Sequence, residues 1–143
     1  MTYLDSSVVF SVQSKDSNSS SAIALLKGVS DLLVITPLCE VEVVNALGLR
    51  LFRGEISHAQ AHASARDLDK NILAGFYQLT PFPDSAFSQA KTMALTMTPT
   101  IGVRAADLLH VAAAIELGAE TFYTFDRKQH KAAQAAGLRV NVL

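Results

Sequence analysis

The sequence predicts an α/β protein, built as a three-layer α/β/α sandwich around a mainly parallel central sheet. The first reason is that short β-like apolar runs alternate with longer helical stretches along all 143 residues, the pattern of strands joined by crossover helices. The second is composition, because 50% apolar residues with only 17% charged residues supply a core and exclude a disordered chain. No internal repeat or linker divides the chain, so we expect residues 1–143 to form a single domain.

The first half of the chain is predicted to form three strands and three helices. Glycines end the helices, and Pro37 stands at a first helical position, where its missing N–H costs nothing. A serine-rich loop around residues 17–21 leads into the first helix. The predicted elements are strand 2–4, a helix through 22–26 that Gly28 ends, strand 32–36, helix 37–52, helix 59–73 and strand 77–80.

The second half is predicted to contain two helices followed by a strand, a helix and a closing strand. Pro99 is expected to break the first of these helices near residue 98, and glycines end the others. The helix from residue 104 is apolar around much of its circumference, which indicates burial. The predicted elements are helix 84–97, helix 104–117, strand 121–125, helix 127–136 and strand 140–143.

Charge and cysteine content limit the kind of ligand and the cellular compartment that the sequence predicts. Twelve basic and 13 acidic residues give a net charge of −1, so any contact with a nucleic acid must use a local patch. The basic run at residues 127–131 is such a patch, although a solvated face explains it equally well. A single cysteine, Cys39, excludes an internal disulfide. With neither a signal peptide nor a membrane-spanning apolar run, the sequence predicts a cytoplasmic protein.

Four acidic residues fall where the predicted fold brings strand ends together. Asp5 follows the first strand directly, and Asp126 follows the strand at 121–125. Glu42 and Asp107 lie in the first turns of helices that begin at the same edge of the sheet. Because ligands bind outside the carboxyl ends of parallel strands, these carboxylates are expected to share one site. Oxygen ligands of this kind suit Mg²⁺ or Mn²⁺.

Each of these acids also has a purely structural explanation. Asp5 and Asp126 would serve as helix N-caps, and Asp107 would favour the dipole of its helix. Glu42 would pair with an arginine. The convergence of all four on one edge is what favours a shared site, since like charges gathered together need a cation to neutralise them.

Several neighbouring residues are candidates for support. Ser6, Asn45 and Thr124 are predicted to orient the acids or a metal-bound water, with caps and ordinary strand positions as the alternative. His110 lies three residues after Asp107 and either reaches the site or is a half-buried structural histidine. Glu40 leaves open which glutamate of its helix is the ligand.

Two other chemistries on similar folds are excluded. A phosphatase of the haloacid dehalogenase type needs an Asp-x-Asp motif after the first strand, whereas Asp5 is followed by two serines. A dinucleotide-binding fold needs a Gly-x-Gly-x-x-Gly turn there, and the sequence has none.

Four segments in order carry a family resemblance. The first is residues 3–7 with Asp5, and the second is residues 36–47 with Glu42. The third is residues 107–114, which begins at Asp107, and the fourth is residues 124–138 with Asp126. The sequence resembles a PIN domain over its whole length, and within that group the VapC-type toxin ribonucleases.

The resemblance implies a metal-dependent endoribonuclease that hydrolyses RNA phosphodiester bonds, the toxin of a toxin–antitoxin pair. It implies that the four acids are catalytic and hold Mg²⁺ or Mn²⁺. It also implies a cognate antitoxin and a homodimer. Because the helices around residues 43–52 and 59–73 carry apolar or small residues on more than one face, we expect them to form the dimer interface. The alternative is a PIN-like binding module with weak or no nuclease activity that acts through a protein partner.

Overall fold

A computed structural model describes Met1–Leu143 and contains five strands and seven helices. The strands are β1 (Thr2–Leu4), β2 (Leu33–Ile35), β3 (Gln78–Leu79), β4 (Thr121–Tyr123) and β5 (Arg139–Val140). The helices are α1 (Ser6–Gln13), α2 (Ser19–Lys27), α3 (Pro37–Phe52), α4 (His58–Leu73), α5 (Ser85–Ile101), α6 (Ala105–Glu116) and α7 (Arg127–Ala135). None of the helices combines the length and apolar character needed to span a bilayer.

The five strands form one parallel sheet in the order β3-β2-β1-β4-β5. The predicted α/β class with a parallel sheet is therefore confirmed. The first strand of the chain lies at the centre, between β2 and β4. Its carboxyl end is consequently flanked by the loops that follow both neighbours, which is where ligands bind in open parallel sheets.

Alternate side chains of the central strands enter two separate cores, one on each face of the sheet. Tyr3 and Val34 belong to a core of 16 buried residues that also draws on α5, α6 and α7. Leu4 and Ile35 belong to a second core of 10 buried residues with members from α1, α2, α3 and α4. This period of two is what a strand covered on both faces requires, and it produces the helix–sheet–helix layering.

The prediction missed α1. Its sequence, SSVVFSVQ, is rich in β-branched residues, which favour strands when read locally. In the structure, Asp5 caps this helix and its Val8 and Val9 are fully buried. Burial of an apolar face outweighs the weak local propensity.

Other boundaries also differ from the prediction: β3 and β4 are shorter than the predicted strands 77–80 and 121–125, and α5 and the last strand end elsewhere. Helix α5 does not break near residue 98 but continues through Pro99 to Ile101, where Gly102 at φ 68° ends it by donating to the Thr98 carbonyl at 2.8 Å. The last strand is Arg139–Val140, not residues 140–143. Beyond it, the Asn141 amide bonds both backbone groups of Thr124, at 2.9 and 3.0 Å, and replaces further strand pairing.

Candidate active site

Thr124 links the acids at the ends of β1 and β4. Its hydroxyl donates to Asp5 Oδ2 at 3.1 Å and accepts the Asp126 backbone N–H at 2.9 Å. Thr124 is completely buried. A single hydroxyl thus fixes the relative position of two acidic residues that are far apart in the sequence.

Asp5 and Asp126 are also helix N-caps, as their structural explanation requires. Asp5 Oδ1 accepts from the Ser7 hydroxyl at 2.7 Å and from two backbone N–H groups at the start of α1. Asp126 Oδ1 accepts two N–H groups at the start of α7, each at 2.8 Å. Each aspartate caps through Oδ1 alone. Asp126 Oδ2 accepts no hydrogen bond from the protein, so capping leaves an oxygen for a second task.

Substitutions at Asp126 are expected to separate capping from any other role. Asn caps a helix as well as Asp does, so Asp126→Asn should leave the free energy of unfolding nearly unchanged. Asp126→Ala should lower it by about 1 kcal/mol. Urea unfolding in EDTA measures both. Equal losses in the two variants would show that the negative charge, rather than the cap, stabilises the fold.

Asp5 is the most deeply buried of the four acids. It is 3% exposed, and burial raises its pKa to about 6. The charge of His110 and hydrogen bonds from Ser7, the Val8 backbone and Thr124 act in the opposite direction without cancelling the burial. A carboxylate kept in such surroundings is costly, and costly carboxylates cluster at functional sites.

Glu42 pairs with His110, not with the arginine that its structural explanation proposed. Glu42 Oε2 lies 2.6 Å from His110 Nε2. Burial raises the pKa of Glu42, but the hydrogen bonds from His110 and Ser6 and the charges of His110 and Arg104 outweigh it, so the pKa is lowered. His110 is 1% exposed, so the expectation of a half-buried side chain was wrong.

Asp107 is held by Arg104, the residue before α6. Its Oδ2 accepts from the Arg104 backbone N–H at 3.2 Å and from Nε at 3.1 Å. The hydrogen bonds and charge of Asp107, with smaller contributions from Asp126 and Glu42, raise the pKa of the guanidinium. Arg104 therefore lies within electrostatic reach of three of the four acids. Its position three residues before an acid at a helix start was the signal by which the sequence could have identified it.

The predicted supporting residues divide into two groups. Thr124 bonds Asp5, and Ser6 stabilises the charged form of Glu42. Asn45 is exposed and makes no side-chain hydrogen bond. Glu40 makes no side-chain hydrogen bond, and partial burial and the charge of Asp69 on α4 raise its pKa.

The donor set suits a hard divalent cation in its chemistry. All four side chains are carboxylates, and oxygen-only ligands are those that Mg²⁺ and Mn²⁺ prefer. Asp126 Oδ2 is free of protein donors, and Asp5 Oδ2 accepts only from Thr124. As the side chains stand, no group of three or more His, Cys, Asp or Glu is placed to hold a metal ion. The Asp107 carboxylate forms an ion pair with Arg104 in this structure, so Asp107 can coordinate a metal ion only after that ion pair breaks.

Solved structures resemble this fold over nearly the entire chain. VapC20 of Mycobacterium tuberculosis, a toxin that cleaves the sarcin–ricin loop, has a TM-score of 0.73 at 18% identity and covers 96% of both chains. FitAcB from Neisseria gonorrhoeae has a TM-score of 0.71 at 20% identity, covering 98% of this chain and 96% of that one. VapBC2 from Rickettsia felis, solved with a DNA fragment from its promoter, has a TM-score of 0.67 at 18% identity, covering 99% and 98%.

Sequence comparison identifies the family. No curated protein matches the chain. The family model of the PIN domain, in contrast, matches residues 2–135 and so includes all four acids. The parallel sheet and the likeness of the fold to these solved structures agree with that match. The chain belongs to the PIN domain family.

Proposed function

We propose that this protein is a metal-dependent endoribonuclease and the toxin of a toxin–antitoxin pair. The observation that carries the proposal is the gathering of acids at the carboxyl edge of the sheet. Thr124 ties Asp5 to Asp126, and Arg104 lies within reach of Glu42, Asp107 and Asp126. An acidic cluster at this edge of a PIN domain, with Asp5 and Asp107 buried, supports phosphodiester hydrolysis.

The four acids would hold Mg²⁺ or Mn²⁺. When bound, such a cation lowers the pKa of a coordinated water and neutralises charge on the phosphate. The chain's own residues fix the acids in advance: Thr124 and the start of α1 hold Asp5, and the start of α7 holds Asp126. Preorganisation of this kind avoids rearranging charged groups during the reaction.

Basic side chains beside the acids offer contacts for an RNA backbone. The Arg104 side chain is 78% exposed although its guanidinium bonds Asp107. Arg127 and Lys128 are exposed, and the Lys128 ammonium lies against Gly102 just before α6. His130 is less available, because its Nε2 bonds the Asn141 carbonyl at 2.7 Å. Phosphate contacts of this type position a strand without reading its bases.

Cleavage by the purified protein tests the proposal. Single-stranded and hairpin RNA are incubated with Mg²⁺, Mn²⁺ or EDTA, and Asp5→Asn prepared in parallel reports any contaminating nuclease. We expect internal cuts that need the cation and are absent with the variant. Equal cleavage by both preparations, or none by either, contradicts the proposal. Binding of RNA without cleavage would favour the alternative, a binding module.

We also propose a homodimer in the cytoplasm and a cognate antitoxin. Helix α3 leaves Val41, Val44, Leu49 and Phe52 exposed, with Phe52 at 88%, although Val43 and Leu47 of the same helix are buried. A helix that is apolar on two faces packs on two sides. Co-purification with the product of the neighbouring gene tests the antitoxin.

A dilution series followed by light scattering tests the dimer. The parent is expected to have twice the mass of the 15.3 kDa chain at high micromolar concentration. Phe52→Glu should shift the protein toward monomer, because a charge cannot be buried in an apolar interface without large cost. The side chain is already solvated, so the fold should persist. A monomeric parent contradicts the dimer.

A further inference from the structure

A chain of buried hydrogen bonds reaches Glu42 from the opposite side of the sheet. The Thr36 hydroxyl lies 3.0 Å from the Tyr3 hydroxyl, which lies 2.9 Å from His110 Nδ1. His110 Nε2 is 2.6 Å from Glu42 Oε2. These four residues, which we call the Thr36–Glu42 chain, come from β1, the residue after β2, α3 and α6.

The hydrogen bonds can be assigned a direction. As a cation ligand in the proposed function, Glu42 is a carboxylate and only accepts, so the hydrogen of its 2.6 Å bond lies on His110 Nε2. When the ring carries only that hydrogen, Nδ1 accepts from the Tyr3 hydroxyl, which in turn accepts from Thr36. The Thr36–Glu42 chain therefore selects the His110 tautomer with its hydrogen on Nε2, which donates to Glu42.

Three of the four side chains in the Thr36–Glu42 chain are buried. Tyr3 and Thr36 are 0% exposed and His110 is 1% exposed. The Tyr3 ring stacks on Phe122 at a centroid distance of 5.5 Å and an interplanar angle of 6°. It also meets the His110 ring edge-on at 5.8 Å. Apolar side chains would fill this space without burying three polar groups, so packing alone does not explain the choice of residues.

We propose that His110 is a positioning residue for Glu42, with Tyr3 and Thr36 holding the imidazole in the tautomer and orientation that donate to Oε2. The proposal rests on the proposed function, in which Glu42 is a cation ligand. By donating to Oε2, His110 holds the Glu42 side chain in place and leaves Oε1 available for another contact. Ligating carboxylates are commonly held in this way, and loss of the partner typically weakens metal binding or activity 10- to 100-fold.

The tautomer is tested in the cation-free protein by long-range ¹H–¹⁵N NMR of the histidine rings, with His110→Gln assigning the resonances. We expect Nε2 of His110 to carry a hydrogen in the parent. Tyr3→Phe should move the Nδ1 resonance, since that nitrogen loses its donor. Tyr77→Phe is the matched control, because Tyr77 is also buried and its hydroxyl bonds only Gln13. A ring protonated on Nδ1 alone, or an Nδ1 resonance indifferent to Tyr3→Phe, overturns the proposal.

Cation binding provides the second test. Mn²⁺ affinity is measured by electron paramagnetic resonance, RNA cleavage is measured beside it, and thermal unfolding reports folding. His110→Leu should weaken Mn²⁺ binding about 10- to 100-fold. His110→Gln should recover most of it, because the Gln amide can donate from near the Nε2 position. Tyr3→Phe should give an intermediate loss, and Tyr77→Phe none.

The outcomes distinguish the role of His110 from the proposed function. A parent that binds Mn²⁺ and cleaves RNA, with Tyr3→Phe and His110→Leu unchanged, contradicts the role of His110 alone. A parent that does neither contradicts the proposed function and that role together. If His110→Leu does not fold, Tyr3→Phe and the rescue by His110→Gln decide the result. Equal losses of Mn²⁺ affinity in Tyr3→Phe and Tyr77→Phe would show that both substitutions act only by destabilising the fold, and would overturn the proposal.

Discussion

Neutralising any one of the four acids is expected to lower the rate of RNA cleavage at least about a hundredfold, which corresponds to about 2.7 kcal/mol of transition-state stabilisation. An amide keeps the shape of the side chain but removes the charge that attracts a divalent cation. The rate is measured under single-turnover conditions with Mg²⁺ and with Mn²⁺. The variants are Asp5→Asn, Glu42→Gln, Asp107→Asn and Asp126→Asn.

Two acids outside the cluster serve as controls for that experiment. Glu40 is within electrostatic reach of Asp69, and Asp84 is exposed at the start of α5 without a capping hydrogen bond. Glu40→Gln and Asp84→Asn should cleave at the parent's rate. If Glu40→Gln loses activity while Glu42→Gln retains it, the acid of the second motif has been assigned to the wrong glutamate.

Asp5→Asn is expected to make the cation-free protein more stable at pH 7. Because the pKa of Asp5 is raised to about 6 in the folded protein, the folded state binds this proton more tightly than the unfolded chain does. The contribution of Asp5 to the free energy of unfolding is therefore greatest below about pH 4 and falls as the pH rises toward 6. By pH 7 the decrease amounts to roughly 3 kcal/mol.

Urea unfolding in EDTA at pH 7 and pH 5 measures this effect. The Asn side chain still caps α1, so the variant should gain up to roughly 3 kcal/mol at pH 7 and less at pH 5. Asp84→Asn, on the surface, should change little at either pH. A destabilised Asp5→Asn, or a gain equal at the two pH values, would show that burial of the Asp5 charge does not lower the free energy of unfolding.

The sequence was sufficient to place Asp5 and Asp126 at one edge of the sheet because parallel strands end on the same side. Asp5 follows β1 directly, Asp126 is the third residue after β4, and the two strands are neighbours in the sheet. Their roles as caps could also be predicted, since Asp before a helix is a local signal. What the sequence left open was whether capping and a shared site exclude each other. The structure shows that each aspartate caps with a single oxygen.

The partners of the acids could not be predicted, because they depend on tertiary contacts. Tyr3 and His110 are separated by 107 positions and lie on different elements. No periodicity within either element indicates which residue its side chain will meet. Helix α1 was missed for a related reason, as its helical state depends on packing of Val8 and Val9 more than on local propensity. Packing between residues far apart in the sequence determines both the Tyr3–His110 contact and the helical state of α1.

Stabilisation by Mn²⁺ tests most directly whether the four acids form one cation site. Thermal unfolding is followed with Mn²⁺ and with EDTA for the parent and for the double variant Asp5→Asn/Asp107→Asn, whose two changes lie at the ends of different elements. The parent should gain about 2.7 kcal/mol at a hundredfold excess of Mn²⁺ over Kd, and the double variant should gain none. An equal response of the two proteins, or no response of the parent, would contradict a shared cation site.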